Sequence, residues 1–387
     1  MTEDVTFIEH LNEELRADED YTREDVFNTF KKYVANKDKL QKAIDFGLLH
    51  YDYAMYKRFI EGTLFEDGLS AILCLYNSAL EENYQEGENA FKDSYSAVAC
   101  GFASQTQSIL TSDIHTPSER LDLFSKTAFQ FIGDNIENSL KPFLGFLDAI
   151  YCISHNKPVV KKKLGITVNN LISYNDLFKA LYKTLFLDVT VSQWRNIANH
   201  GDYSCTADEM IRVCYSEKKQ ETKYLSRQDV SMLLSTLDVL MYMHKTAYTL
   251  ISIDHIGMLS VAEKYHETTN DDIMMQIVET SYAYGLEVFE IEKQHWNIAA
   301  QIRKKEPTQQ DLKKYCSVVA TFLSGKKFSI LIYNGVQVEY QIIYNQNRAE
   351  INRYVVHSEN LKTQDGQNKG RLLSGLQKSW GKTWKKQ

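Results

Sequence analysis

The sequence predicts a mainly α protein: a helical bundle followed by a small C-terminal α/β unit. Three observations carry that reading. Only four prolines occur in 387 residues, and proline, which lacks a backbone donor and clashes with the preceding turn, is scarce where helices dominate. Through most of the chain before residue 256, apolar residues recur every three or four positions, the spacing of one helix face. Beyond residue 280 they alternate instead and become β-branched, the period of strands.

Residues 1–116 read as an N-terminal helical domain. "DVFNTFKKYVANKDKLQKAIDF" carries the helical repeat, and "SYSAVACGFASQTQSIL" is a small-residue helix of buried character. A boundary is expected at "TPSERLDLF", where Thr116 can cap, Pro117 fits the first helical position and Glu119 the third. Residues 117–256 then form a second helical domain, with helices expected at 118–138, 141–154, 167–185, 187–200 and 227–250. Within "MIRVCYSEKKQETKYLS" two strand-like runs flank a polar turn, so a β-hairpin is inserted there. Ser226 and Asp229 then have the spacing of a capping box.

Residues 257–360 read as the small α/β domain. "EVFEIEKQHWNIAAQI", a helix over "TQQDLKKYCSVVATFLSG" and "KFSILIYNGVQVEYQIIY" follow one another, with Asn334-Gly335 as a hairpin turn. Residues 361–387 are a basic tail with seven Lys or Arg against one Asp, on a chain of net charge −7. Lys378, Trp380, Lys382 and Trp384 of that tail suit phosphate contact and base stacking. A solvated, partner-docking terminus has the same composition.

With 43% apolar and 25% charged residues, the chain can bury sizeable cores. It begins with an acidic helical pattern rather than a basic head and apolar run, and no apolar stretch is long enough for a membrane span. The expectation is therefore no membrane partner. Cys74, Cys100, Cys152, Cys205, Cys214 and Cys316 lie far apart without a C-x-x-C pair, which fits a cytoplasmic protein. No metal-ligand spacing, phosphate-binding glycine loop or nucleophile elbow occurs, so neither a metal nor a cofactor is expected.

The chemistry concentrates in "SQWRNIANHGDY", residues 192–203. On a helix over 187–200, Leu187, Val191, Trp194, Ile197 and Ala198 share one sector, while Arg195, Asn196, Asn199 and His200 fill the other. Gly201 stands where helices commonly end in a left-handed residue, which puts His200 in the last turn. Arg195 and His200 are about 140° apart around the axis and about 7.5 Å along it, so both can reach one phosphate or two neighbouring ones. RNA supplies its own nucleophile, the 2′-OH. A protein need only move the protons and stabilise a charged phosphorane, and an arginine fork with an imidazole can do that without metal. The same residues would also serve as a solvated helix face closed by a capping histidine.

"WRNIANHG" resembles the R-x4-6-H motif of the HEPN superfamily, which includes prokaryotic toxin and abortive-infection ribonucleases; Asn196 stands for the usual polar residue after the arginine. The resemblance extends to the helical context over about 117–256. It implies that Arg195, Asn196 and His200 are catalytic, with RNA as substrate. It further implies a homodimer whose two motifs form one composite site in an anti-phage effector governed by a sensor or regulator. Asn199 would support that site. Glu137, on the upstream helix, is the one candidate for an acid from the same chain. Members silenced by nucleotidylation carry Tyr two residues after the histidine; Asp202 stands there, so that regulation is not implied. The alternative is a non-catalytic helical scaffold that binds a protein or nucleic-acid partner.

Overall fold

A computed structural model describes residues 3–16, 21–111, 120–216, 221–255, 270–303, 306–345 and 348–353. The chain is mainly helical. It opens with α1 (Glu3–Leu15), α2 (Arg23–Phe30), α3 (Lys37–Asp45), α4 (His50–Met55, continued by a π turn, Tyr56–Ile60), α5 (Leu64–Glu82) and α6 (Tyr84–Thr111). The expected boundary at Thr116, Pro117 and Glu119 lies outside the described residues, as does the basic tail.

Next come α7 (Leu121–Asn135), a π turn (Ile136–Leu140) and α8 (Lys141–Ser154), which run on as one column where two separate helices are expected. Pro142 sits in the first turn of α8. It cannot donate to the carbonyl four residues back, but the π turn has already shifted the bonding, with the Lys141 N–H donating to Ile136 O. The column therefore passes the proline unbroken.

The helix expected over 167–185 is instead α9 (Leu164–Tyr174) and α10 (Asp176–Tyr182), followed by a 3-10 turn (Thr184–Phe186). Asn175 divides them because its extended backbone leaves its side chain free to accept from Phe178 N and cap α10. After α11 (Val191–His200) the insertion has one strand more than a hairpin. β1 (Tyr203–Cys205), β2 (Ile211–Cys214) and β3 (Thr222–Leu225) form an antiparallel sheet in that order. Then α12 (Arg227–Asp254) begins with the expected reciprocal cap, Ser226 with Asp229.

The C-terminal part comprises α13 (Asn270–Ala283), β4 (Leu286–Glu292), β5 (Asn297–Ile302), α14 (Gln309–Phe322), β6 (Phe328–Asn334), β7 (Gln337–Asn345) and β8 (Arg348–Arg353). Its sheet has the order β4-β5-β6-β7-β8. Only β5 and β6 are parallel, joined through α14, as a parallel pair requires a crossover. The Asn334-Gly335 turn joins β6 to β7 as expected.

A continuous hydrophobic cluster runs from Phe7 and Ile8 of α1 to Ile342 and Tyr344 of β7. The first helix packs on β4 and α13, and Asn12 Nδ2 donates to Val288 O at 2.6 Å. No helix among the described residues is long and apolar enough to cross a membrane.

Candidate active site

The site is built on α11, and local chemistry fixes both ends of that helix. Leu187 and Asp188 have φ of 57° and 59°, so the helix cannot start at 187 as expected. It starts after Thr190, which accepts from Gln193 N while the Gln193 side chain accepts from Thr190 N. Gly201, at φ 68°, closes it in the left-handed conformation, which costs glycine nothing.

Trp194 anchors the apolar sector: it is fully buried, and its Nε1 donates to Phe186 O at 3.0 Å. Val191 and Ile197 are buried beside it. Arg195 is half-buried, whereas Asn196, Asn199 and His200 are exposed.

The column α7–π turn–α8 supplies the other wall, antiparallel to α11. Phe129 stacks on Tyr203 at 4.3 Å. One helical turn further along α7, a Cβ on Gly133 would stand 2.6 Å from Asn199 Oδ1 and 3.1 Å from Ala198 Cβ. The missing side chain thus lets the two helices approach closely. Further along, Glu137 Oε2 accepts from Arg195 Nε at 2.7 Å, and its other oxygen pairs with Lys141. Ser139, in the same π turn, donates to Gly101 O of α6 at 2.6 Å, which ties the turn to the bundle.

Arg195 also donates from a terminal nitrogen to Asn196 Oδ1 at 3.0 Å. A guanidinium has five N–H groups, so three have no hydrogen-bond partner among the described residues. The imidazole of His200 makes no hydrogen bond to another described residue. The Lys141 ammonium, with Arg195 beside it, holds the Glu137 carboxyl below the usual carboxylate range. At neutral pH that group is ionised. Through its Oε2 it anchors Arg195.

The fold joins Glu137, Arg195 and Asn196 by hydrogen bonds, seats Asn199 against Gly133 and leaves His200 exposed at the end of the same helix. Lys378, Trp380, Lys382 and Trp384 fall outside the described residues. Two contributors escaped the sequence reading. Lys141 had a visible signal, the i,i+4 spacing from Glu137; Gly133 had none. Among the described residues no group of three or more His, Cys, Asp or Glu could hold a metal ion. His50 and His244 are core residues, and burial lowers both to about 3, so they stay neutral. No protein-family model, curated protein or solved structure matches this chain.

Proposed function

We propose that this chain is a metal-independent endoribonuclease of the HEPN type that works as a cytoplasmic homodimer. The observation that carries the reading is the combination on α11 of an arginine held by Glu137, with N–H groups left free, and an exposed imidazole five residues on at the helix end. His200 of one protomer accepts the 2′-OH proton as that oxygen attacks phosphorus. The arginine fork stabilises the phosphorane, and the imidazole of the second protomer protonates the departing 5′-oxygen. With the same-chain carboxyl held ionised, the second imidazole is the acid that remains, and a two-fold axis beside α11 supplies it. The biological role that suits such chemistry is an abortive-infection effector released by a sensor or regulator.

The test is incubation of purified protein, and of protein activated in infected cells, with total RNA in EDTA. Cleavage leaving 2′,3′-cyclic phosphate ends, stopped by 2′-deoxy substitution at the scissile nucleotide, is expected from a dimer or a multiple of one. RNA left intact by both preparations refutes the reading, and a fully active monomer refutes the composite site.

A further inference from the structure

Three residues after His200 the chain enters the β1–β2–β3 sheet, which has two unlike faces. On one face, Ile211 and Val213 are fully buried, Tyr203 stacks on Phe129 of α7, and Cys205 Sγ lies 3.5 Å from Ser125 Oγ. The opposite face carries a cross-strand row. Ser204 is the register partner of Arg212, and Arg212 of Tyr224, so the three side chains stand side by side.

All three are exposed, and Tyr224 keeps 60% of its surface in water. Arg212 has no ion-pair or hydrogen-bond partner among the described residues. Asp208 and Glu209 lie in the β1–β2 turn, at the end of the hairpin away from His200. At the other end the exposed Asp202 lies between His200 and Ser204, where the ladder continues through Cys214 N to Asp202 O.

We propose that the Ser204–Arg212–Tyr224 row is a binding platform for single-stranded RNA flanking the scissile phosphate. Tyr224 stacks on a base, Arg212 takes a phosphate with its fork, and Ser204 donates to a phosphate oxygen. This rests on the ribonuclease reading of α11. Reach allows it: the four residues from His200 to Ser204 span at most about 14 Å, and each step between strands adds about 4.8 Å. A protein partner is the poorer fit. Tyr224 is flanked on its face by Arg212 and, farther along, by the half-buried Cys214 and Thr222. That offers no contiguous apolar patch of the kind that forms an interface core.

The test is fluorescence anisotropy of the full chain with a labelled single-stranded 2′-O-methyl oligoribonucleotide of mixed sequence, which cannot be cleaved, over a range of salt. Tyr224→Ala should weaken binding roughly 5- to 150-fold, the worth of one base stack, while Tyr224→Phe binds as wild type. Arg212→Gln should lower the salt slope by about 0.7, one single-strand phosphate contact. Wild-type binding by both Tyr224→Ala and Arg212→Gln, or a change in oligomer size with binding intact, overturns the platform. If wild type fails to cleave RNA but still binds it through Tyr224, the platform stands and the cleavage reading falls. If cleavage depends on His200 while Tyr224→Ala alters neither binding nor rate, only the platform falls.

Discussion

Glu137 precedes Arg195 by 58 residues and holds its Nε at 2.7 Å, so a carboxylate on the π turn sets the direction of a guanidinium on α11. Glu137→Gln keeps an acceptor in place but removes the charge that Arg195 and Lys141 both use. A hydrogen bond to a charged partner is worth roughly 1.5–3 kcal/mol against about 1 for a neutral one. The expected outcome is a loss in RNA cleavage of roughly 2- to 30-fold, in kcat more than in KM. A wild-type rate would reduce the pair to a surface salt bridge.

His200→Ala should abolish cleavage and change unfolding free energy by no more than about 0.5 kcal/mol, because an exposed side chain at a helix end contributes little packing. Arg195→Lys should also be inactive. The ammonium keeps the charge but lacks the planar fork, and it cannot satisfy Glu137 and a phosphate together in the same geometry. Full activity in the lysine variant would make the arginine a positive charge and nothing more.

The Gly133 position tests the seat of α11 directly. Gly133→Ala places a methyl 2.6 Å from Asn199 Oδ1 and 3.1 Å from Ala198 Cβ. The amide is exposed and can swing aside, but the Ala198 methyl moves only with its backbone. Overpacking of this kind costs roughly 1–3 kcal/mol, and a shift of α11 separates Arg195 from Glu137. Lower thermal stability together with slower RNA cleavage is expected. Unchanged values in both would mean that the helices already have room to spare.

What the sequence disclosed about this site was what local chemistry decides. Ser226 with Asp229, Gly201 after His200, and Asn334-Gly335 each act within a few residues, and each stands where its side chain or backbone freedom requires. The three-residue β1 is too short to show a period. Leu187 has the right spacing for the apolar sector of α11, yet its left-handed backbone keeps it out of the helix. The π turn is tied to a neighbour far away in the chain, since Ser139 donates to the Gly101 carbonyl of α6, and no window around Pro142 shows that contact. For the same reason Glu137 was visible as a carboxyl on the upstream helix, whereas its grip on Arg195 was not.

Away from the site, Glu279 of α13 makes stability depend on pH in a direction that can be worked out. It is buried, and burial, helped by Asp52 of α4 and opposed by Lys245 of α12, raises its carboxyl from 4.5 to about 7. Below 4.5 it is protonated in both folded and unfolded chains, so it contributes nothing. Between 4.5 and 7 the unfolded chain releases the proton first, and stability falls as pH rises; above 7 both forms are ionised and the penalty is constant. The whole step amounts to at most about 3 kcal/mol. His50 and His244, lowered from 6.5 to about 3, give the opposite slope over part of the same window, so wild-type stability alone would conceal the effect. The comparison that isolates it is urea unfolding of wild type and Glu279→Gln at several pH values from 4.5 to 7. The histidines are common to both proteins and cancel in the difference, and the Lys245 ammonium has the Tyr51 ring as a second partner, 4.1 Å from its centroid. Relative to wild type, the glutamine variant should gain stability steadily as pH rises through that window. A difference that stays flat would mean that Glu279 ionises inside the fold as readily as in water.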